Sequence, residues 1–419
     1  MCTGYISPSN GLGKYPKLRF KGFSEPFVVR KIGTFAKCYA GATPSTKDRS
    51  FWDNGTIPWL SSGEVNKKHI DFTDTYITQK GFENCSTKMV PSGTVVMALA
   101  GQGKTRGTVA ITNIDLCTNQ SLAAIVTDDS VCDLCLLYYL ETQYENLRAV
   151  SSGDGTRGGL NLQIISDYPV CLPSIGEQIK IADFFAVLDK KIEKQHTLIE
   201  TLKKYKRGLL QQIFSRKLIM TVGDESWEYI PLGEIGCFFG GLTGKSKEDF
   251  DHGDSKFITY MNVYKNTFAD ETMVTAVDVA PNEKQNTVQY GDILFTQSSE
   301  TVEEVGLSSV WVHDTTPYLN SFCMALRPRS LEKYNPYYLG YALRSPKIRE
   351  AIMKEGQGIS RINLAASRIE NIPIPIPPAA VQIKIADYLK KWDDRIYANE
   401  KTLTELISLK KAFLQSLFI

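Results

Sequence analysis

The hexapeptide QIKIAD occurs at Gln178–Asp183 and again, letter for letter, at Gln382–Asp387. The two copies lie 204 residues apart (382 − 178), and an identical run of this length seldom arises by chance. The match extends to YPVCLPSIGEQIKIADFFAVLDKKI (Tyr168–Ile192) and IPIPIPPAAVQIKIADYLKKWDDRI (Ile372–Ile396), which align without a gap. The chain is therefore an internal repeat, and this property comes first because it sets the plan of the whole fold.

Weaker matches precede the repeated segment in each half. LGEIGCFFGGLTG (Leu232–Gly244) resembles IGTFAKCYAGATP (Ile32–Pro44), VPSGTVVMALA resembles VQYGDILFTQS, and TNQSLAAI resembles LNSFCMAL. Within these blocks, GTVVMALA, GTVAIT and GDILFT are typical of short buried strands, whereas DLCLLYYLETQYENLRAV and NPYYLGYALRSPKIREAIM indicate helices. Asn335 suits a helix N-cap and Pro336 the first helical turn. Each half therefore predicts a divergent α+β block, a proline-rich hinge and a charged segment.

The charged segments have the period of long amphipathic helices. Apolar residues recur at steps of three and four, as the seam of a coiled coil requires. About 40 residues at about 1.5 Å each make a rod of about 60 Å, and one such helix alone in water is marginal. We therefore expect the two helices to bury their seams against each other. The seam positions are Ile181, Phe184, Leu188, Ile192, Ile199, Leu202, Leu209 and Ile213, with equivalents at Ile385, Tyr388, Trp392, Ile396, Leu403, Leu406, Phe413 and Leu417.

One polar residue interrupts each seam near its centre. Continuing the steps past Ile192 reaches Gln195, and the equivalent position in the second helix is Asn399. Polar residues on a seam cost stability but fix register and orientation. In an antiparallel pair related by a pseudo-two-fold axis, equivalent residues meet only near the axis. We therefore expect Gln195 and Asn399 to meet and to hydrogen-bond; the alternative is that both point to solvent.

Length and composition are those of an ordinary folded protein. The 419 residues suffice for two or three domains, and the apolar fraction is 42%. A net charge of +2 means that any basic surface must be local. The N-terminus lacks the apolar core of a secretion signal, and no apolar run reaches the about 18 residues of a membrane span. Nine scattered cysteines fit reduced thiols, so we expect a cytoplasmic protein.

Several motifs that suggest catalysis fail on their context. ALAGQGKT (Ala98–Thr105) approximates a phosphate-binding loop, but the strand-like RGTVAITN follows where a helix is required, which favours a hairpin. NPYY (Asn335–Tyr338) lacks the second proline of an amino-methylating DNA methyltransferase motif. CDLC (Cys132–Cys135) is a single cysteine pair, whereas zinc needs four ligands. We therefore predict no catalytic residue, metal or cofactor in this chain.

Basic residues in glycine-rich loops are the best candidates for contact with nucleic acid. GQGKTRG, SGDGTRGGLN and GQGISRINL each place an arginine after a small polar residue, where the backbone can approach a ligand closely. Such an arginine suits a phosphate or a guanine edge. An ordinary turn with a solvated arginine fits the sequence equally well. The candidate DNA-binding residues are Lys104, Thr105, Arg106, Thr156, Arg157, Ser360 and Arg361.

Taken together, these features resemble the DNA-specificity subunit of type I restriction–modification enzymes. The resemblance lies in LPSIGEQIKIADFFAVLDKKI and IPPAAVQIKIADYLKKWDDRI, and in TRGGLNLQIISDYPV and SRINLAASRIENIPI before them. The openings RKIGTFAKCYAGATPS and IPLGEIGCFFGGLTGK match as well, so the resemblance covers nearly the whole chain. The second copy departs from the pattern at Val381, where the first has Glu177.

The resemblance implies an α+β fold in which two globular target recognition domains are joined by two long helices packed as an antiparallel coiled coil. Each domain would read one half of a split DNA site, and helix length would set the spacing between the halves. The implied organisation is a lead-in (1–17), a first recognition domain (18–172), a first spacer helix (173–218), a second recognition domain (219–376) and a second spacer helix (377–419).

The resemblance also implies partners. The helices would bind two copies of an adenine-methylating modification subunit, and a restriction subunit with translocase and nuclease activity would join them. Those subunits would use S-adenosylmethionine, ATP and magnesium, while this chain would contribute recognition of double-stranded DNA to a phage-defence system. Two other functions stay open: a P-loop ATPase acting on DNA, and a coiled-coil adaptor without DNA specificity.

Overall fold

The computed structural model describes residues 15–101, 104–151, 159–218 and 226–418. Its contacts group into two compact units, here called unit 1 (Met1–His196 with Lys401–Ile419) and unit 2 (Thr197–Glu400). Each unit combines one divergent block with a segment of each repeated helix. The predicted domain boundaries, which give each helix a segment of its own, stay a prediction.

Unit 1 contains two mixed sheets with helices packed beside them. Its strands are Val28–Lys31 (β1), Ala36–Ala40 (β2), Ile57–Leu60 (β3), His69–Ile70 (β4), Thr75–Ile77 (β5), Met89–Val90 (β6), Val95–Ala98 (β7), Val109–Thr112 (β8), Leu116–Thr118 (β9), Leu122–Thr127 (β10) and Pro169–Leu172 (β11). Its helices are Gln79–Glu83 (α1), Asp133–Thr142 (α2), Tyr144–Ala149 (α3) and Leu162–Asp167 (α4), and the long helix Ile175–Phe214 (α5) begins in it. The sheets have the orders β2-β10-β7-β8-β4 and β5-β3-β9-β6, and β1 pairs with β11.

Unit 2 repeats much of this plan. Its strands are Glu228–Pro231 (β12), Gly236–Gly240 (β13), Phe250–Ile258 (β14), Val274–Val277 (β15), Ile293–Thr296 (β16), Ser298–Ser299 (β17), Ser308–Val310 (β18), Tyr318–Leu319 (β19), Cys323–Pro328 (β20), Ile362–Asn363 (β21) and Pro373–Ile376 (β22). Its helices are Leu232–Ile235 (α6), Tyr260–Lys265 (α7), Pro336–Leu343 (α8), Pro346–Lys354 (α9) and Ala366–Ile369 (α10), and the long helix Ala379–Phe418 (α11) begins in it. The sheets have the orders β13-β20-β16-β18 and β15-β14-β19, and β12 pairs with β22.

The repeat predicted from the sequence is present in the strand order. The antiparallel series β2-β10-β7-β8 of unit 1 corresponds to β13-β20-β16-β18 of unit 2. The central strands β7 and β16 are buried along their whole length, as their unbroken apolar sequences predict. Asn335 caps α8 by accepting a hydrogen bond from the Tyr338 N–H, and Pro336 occupies the first turn. The predicted α+β blocks are therefore confirmed.

The repeated hexapeptide joins each long helix to its block. Gln178 is buried in unit 1, where its Oε1 accepts from the Cys132 N–H at 2.9 Å and its Nε2 donates to the Pro173 carbonyl at 2.9 Å. Gln382 does the same in unit 2, accepting from the Asn335 N–H and donating to the Pro377 carbonyl, both at 2.9 Å. Cys132 and Asn335 are the residues immediately before α2 and α8. Each glutamine therefore provides a hydrogen-bond acceptor for a backbone N–H at the start of a helix in its block.

The long helices contribute antiparallel segments to each unit. In unit 1, the rings of Phe185 and Phe418 lie 6.3 Å apart and those of Phe184 and Phe413 lie 5.1 Å apart, while Asp189 Oδ1 lies 2.6 Å from Lys410 Nζ. Residue numbers therefore rise along α5 as they fall along α11, and the segments run in opposite directions.

Unit 2 shows the same direction. The rings of Tyr205 and Trp392 lie 4.8 Å apart, and Lys203 Nζ lies 2.8 Å from Glu400 Oε1. The positions Asp189 and Asp393 are equivalent in the repeat, as are Lys206 and Lys410. Asp393 pairs with Lys206, so equivalent ion pairs join the two helix segments in unit 1 and in unit 2.

The predicted seam residues are mostly buried. Ile199 is 3% exposed, Leu202 is 6% exposed and Leu406 is 8% exposed, whereas Leu403 is half-buried. Gln195 is half-buried in unit 1, and Asn399 is half-buried in unit 2, where its Nδ2 donates to the Arg395 carbonyl at 2.7 Å. Their pairing with each other stays a prediction.

The departure of the second copy at Val381 has a local explanation. Glu177, the equivalent residue, is 1% exposed and accepts two hydrogen bonds from Arg19, at 2.9 and 2.7 Å. Val381 is equally buried, but it lies in the apolar core of unit 2. The first copy therefore carries a buried ion pair where the second carries a hydrophobic contact.

Candidate nucleic-acid interface

The loop that holds Lys104, Thr105 and Arg106 joins two antiparallel strands. β7 pairs with β8, so a strand follows the loop where a nucleotide-binding site would need a helix. The predicted hairpin is therefore confirmed. Lys104 is exposed, and Thr105 and Arg106 are half-buried. The Lys104 carbonyl accepts from the Tyr144 hydroxyl at 2.8 Å, and Arg148 donates to the same hydroxyl at 3.1 Å, so α3 holds the loop in place.

The equivalent loop of unit 2 joins β16 to β18 and is held by a buried arginine. Arg349, on α9, is 9% exposed and donates to the carbonyls of Gly306 at 2.5 Å, Val305 at 2.9 Å and Glu303 at 3.1 Å. Arg344 joins strand β18 to the end of helix α7: it donates to the carbonyl of Ser308 in β18 and to those of Val263, Tyr264 and Asn266 at the C-terminal end of α7. Burial lowers the pKa of both guanidinium groups to about 10, so both stay charged at neutral pH.

A cavity of about 390 Å³ lies against this loop in unit 2. The rings of Tyr260 and Tyr264 stack in its wall with centroids 6.3 Å apart, and the Tyr260 hydroxyl lies 2.7 Å from the Ser299 hydroxyl. The Arg361 guanidinium lies 5.6 Å from the centroid of the Phe322 ring, and both side chains line the cavity. Its lining residues are Tyr260, Met261, Tyr264, Ser298, Ser299, Glu300, Glu304, Phe322 and Arg361.

Unit 1 has a cavity of about 560 Å³ beside the end of its own central strand, β7. Both cavities border the residues that follow the central strand and the turn before the next strand of the sheet, but the cavity of unit 1 extends to the start of α4, whereas that of unit 2 extends to α7 and the hairpin loop. Its chemistry differs, because side-chain amides and aliphatic groups replace the tyrosines and charged groups of unit 2. Its lining residues are Ala40, Leu99, Ala100, Gln120, Ser121, Leu160, Asn161, Leu162 and Gln163.

The structure brings some of the predicted DNA-binding residues to these places. Arg361 lines the cavity of unit 2, and Ser360 is exposed beside it. Lys104, Thr105 and Arg106 lie in the hairpin loop that follows the Leu99 and Ala100 wall of the unit 1 cavity. Thr156 and Arg157 lie outside the described residues. The role of all seven residues in DNA binding stays a prediction.

Glu300, Glu304 and Arg349 are absent from the residues that the sequence singled out. The aligned strands VVMALA and DILFTQS lead directly into the two loops, so extending that alignment would have shown basic residues in one loop and acidic residues in the other. No local pattern marks Arg349, because its partners lie about 45 residues earlier in the chain.

The cysteine pair and the Asn-Pro segment occupy positions that packing and helix capping explain. Cys135 is buried in the core of unit 1, and Cys132 is half-buried before α2. Asn335 and Pro336 begin α8. In the described ranges, no group of three or more His, Cys, Asp and Glu side chains could hold a metal ion. None of the helices within the described part of the chain is long and apolar enough to cross a membrane.

Replacing Lys104 or Arg361 with Ala is expected to weaken DNA binding on every sequence. If each side chain neutralises one phosphate, the slope of log affinity against log salt should fall by about one. Binding isotherms on one duplex at several salt concentrations measure both quantities. Lys354→Ala is the matched control, since Lys354 is exposed on α9 and pairs with Glu350. An unchanged affinity and slope would leave only ordinary turns at these positions.

Comparison with known proteins assigns the family. Residues 24–204 and 224–408 each match the type I restriction modification DNA specificity domain. The chain is 26% identical, over 97% of its length and 94% of the relative, to the type I restriction enzyme MjaIX specificity subunit of Methanocaldococcus jannaschii. It is 25% identical, over 42% of its length and 44% of the relative, to the EcoR124I/EcoR124II specificity subunit of Escherichia coli.

Solved structures agree on the fold. The type I restriction–modification S subunit from M. genitalium has 18% identity and a TM-score of 0.56, with 96% of this chain and 99% of that chain covered. A chain from a study of complex assembly and conformational transition of the type I system has 16% identity and a TM-score of 0.60, with 94% and 97% covered. The chain therefore belongs to the DNA-specificity subunits of type I restriction–modification enzymes, which recognise DNA sequence and leave catalysis to partner subunits.

Proposed function

We propose that each divergent block reads one half of a bipartite DNA site. The observation that carries this proposal is that each unit has a cavity beside the end of its equivalent central strand, and that different side chains line the two cavities. A shared backbone frame with divergent lining is what two recognition domains for two different sequences require, because side chains at base edges specify the sequence. Arg157 in the first half and Arg361 in the second each follow a small polar residue in a glycine-rich segment. An arginine that both halves share suits a phosphate contact, which positions the protein on DNA without reading its sequence.

The long helices are proposed to bind two copies of the modification subunit and to set the spacing between the half-sites. The hexapeptide supports the number of copies. Gln178, Ile181 and Ala182 are buried, so packing explains their repetition. Packing does not explain the exposed members, which are also identical in both halves. These are Ile179, Lys180 and Asp183, with Ile383, Lys384 and Asp387. Identical exposed residues in two halves fit one kind of partner bound twice.

The wider assembly follows from the family. We propose that the modification subunits methylate adenine with S-adenosylmethionine, and that a restriction subunit uses ATP and magnesium to translocate and cleave double-stranded DNA. The proposed location is the cytoplasm, where the DNA and these cofactors are present. An ATPase within this chain has no support from the hairpin geometry of Ala98–Thr105.

Exchange of one block tests the proposal. Replacing residues 18–172 with the block of another family member should change one half of the methylated motif and leave the other half unchanged. Methylome sequencing of a host that expresses the chimera with its modification subunit gives the motif. The reciprocal exchange of residues 219–376 is the control and should change the other half only. A change in both halves after one exchange would contradict the assignment of one half-site to each block.

A further inference from the structure

The two hairpin loops carry opposite charge at the same structural position. In unit 1 the Gly107 N–H donates to the Ala98 carbonyl at 2.9 Å, and in unit 2 the Gly306 N–H donates to the Thr296 carbonyl at 2.8 Å. These bonds close equivalent loops after equivalent strands. The loop of unit 1 contains Lys104 and Arg106. The loop of unit 2 contains Glu300, Glu303 and Glu304 instead.

The acidic side chains of unit 2 face the cavity without a cationic partner. Glu300 is exposed and Glu304 is half-buried, and both line the cavity that Arg361 also lines. Across the described ranges, neither of these two carboxylates makes a hydrogen bond or an ion pair within the protein. Glu304 lies close enough to Tyr260 that its charge, after burial, helps to raise the pKa of that phenol. The acceptor oxygens are therefore available to a ligand.

The rim of the cavity is apolar and open. Met261 is 43% exposed and Phe322 is 49% exposed, and Ile359 is fully exposed in the loop before Arg361. Exposed apolar groups beside unpaired polar groups are typical of a binding surface rather than of a solvated loop. The cavity is also lined by Arg361, which corresponds in the sequence to Arg157 of the glycine-rich segment in the first half.

A carboxylate on a DNA-binding face is unfavourable next to phosphates, because both are negative. It becomes favourable only when it accepts a hydrogen bond from a donor on a base. In the major groove the exocyclic amino groups are the N4 group of cytosine and the N6 group of adenine, and glutamate or aspartate characteristically accepts from cytosine. The acidic loop of unit 2 therefore has the chemistry of a base reader, whereas the basic loop of unit 1 has the chemistry of a phosphate contact.

We propose that Glu300 accepts a hydrogen bond from the N4 amino group of a cytosine in the half-site read by unit 2, while Arg361 contacts a nearby phosphate. This inference rests on the proposed function, since it requires that unit 2 reads a half-site. It adds a residue, a base and an atom to that function. Of the three glutamates we assign the base contact to Glu300, because Glu303 does not line the cavity and Glu304 is half-buried, whereas Glu300 both lines the cavity and is exposed.

The test uses the full chain assembled with its modification subunit. Methylome sequencing of the wild-type complex supplies the motif, and the probes are a duplex that carries it and duplexes with one base pair changed in the half-site of unit 2. Glu300→Ala should weaken binding to the motif by about 5- to 150-fold, the loss typical of a base contact. Binding to a duplex without the motif should stay equal or become tighter, because a negative charge has been removed.

Glu300→Gln should move the preference at that one position from cytosine towards adenine, since an amide can both donate to N7 and accept from N6. Glu350→Gln is the matched control, because Glu350 is an exposed glutamate on α9 that pairs with Lys354 outside the cavity. Thermal melting should be the same for all variants, as the Glu300 carboxylate has no partner among the described residues.

Several outcomes would overturn the inference. One is a wild-type half-site for unit 2 without cytosine on either strand. Another is motif binding by Glu300→Ala that is unchanged or tighter, which would mean that the glutamate only repels phosphates. A third is an equal loss on every duplex. These results leave the block exchange unaffected, so failure of this inference and failure of the proposed function are separate observations.

Discussion

Replacing Asp189 with Ala should lower the free energy of unfolding of the full chain by about 3–5 kcal/mol, the cost of breaking a buried ion pair from one side. Asp189 lies on α5 in a mostly buried cluster of unit 1. Its Oδ2 accepts from the Tyr138 hydroxyl at 2.9 Å and from Lys68 at 3.0 Å, and its Oδ1 lies 2.6 Å from Lys410. Without the Asp189 carboxylate, the two lysines of the cluster, Lys68 and Lys410, would have Glu141 as their remaining acidic partner in it.

The pH dependence of this difference has a definite sign. Burial acts to raise the pKa of Asp189, but Lys68 and Lys410 lower the pKa on balance. A carboxyl group with a lowered folded pKa stabilises the protein above its unfolded pKa of about 4 and loses that contribution as the pH falls through the folded value. The gap between wild type and Asp189→Ala should therefore be full at pH 7 and shrink in acid.

Urea unfolding at pH 7 and at acidic pH measures both effects. Asp183→Ala is the control, because Asp183 is an exposed carboxylate of the same helix and should change stability by less than about 0.5 kcal/mol. A loss below about 1 kcal/mol for Asp189→Ala would mean that Glu141 alone balances the two lysines.

Replacing Arg349 with Met should lower the free energy of unfolding by about 3 kcal/mol or more, because three loop carbonyls lose a charged donor and two of them, those of Val305 and Gly306, are in buried hydrogen bonds. The loop from Glu303 to Gly306 would then lose its attachment to α9. Glu304 lies within this segment and Glu300 lies shortly before it, so discrimination at the half-site of unit 2 should fall together with stability. Arg349→Lys should recover only part of both, since an ammonium cannot reproduce the planar fork of a guanidinium.

Urea unfolding and duplex binding on the motif measure these two consequences. Arg368→Met is the matched control, since Arg368 is an exposed arginine of unit 2 that lies 3.7 Å from Glu355. Wild-type stability in Arg349→Met would show that the loop carbonyls find other donors. Lost stability with unchanged discrimination would show that the loop does not shape the reading surface.

The sequence was most informative where structure depends on neighbours in the chain. The steps of three and four predicted both long helices, and the strand-like residues after Ala98–Thr105 predicted the hairpin. The N-cap at Asn335 was predicted because an asparagine side chain can accept a backbone N–H of the first turn and because the proline after it suits the first helical position. Each of these features is set by local periodicity or by local backbone chemistry, which a single sequence displays directly.

The sequence was least informative where partners are distant in the chain. Gln178 was visible only as part of a repeat, because its partner Cys132 lies 46 residues away. Asp189 and Lys410 occupy solvated-looking positions on charged helices, yet they form a mostly buried cluster. Glu300 was missed for a different reason: nucleic-acid binding directs attention to basic residues, and the charge reversal becomes meaningful only when both loops are known to occupy one position.

The ion pair that recurs between the helices has an evolutionary consequence. Asp189 of the first repeat is neutralised by Lys410 of the second, and Asp393 of the second repeat by Lys206 of the first. A half-length chain would carry this aspartate and this lysine on a single helix. It could form the ion pair only by packing its helix against the helix of a second, identical chain. A symmetric dimer of such chains would recognise a palindromic DNA site, because its two recognition domains would be identical. In the present chain both partners of each ion pair belong to one polypeptide, so a mutation in one block can alter one proposed reading surface and leave the other unchanged.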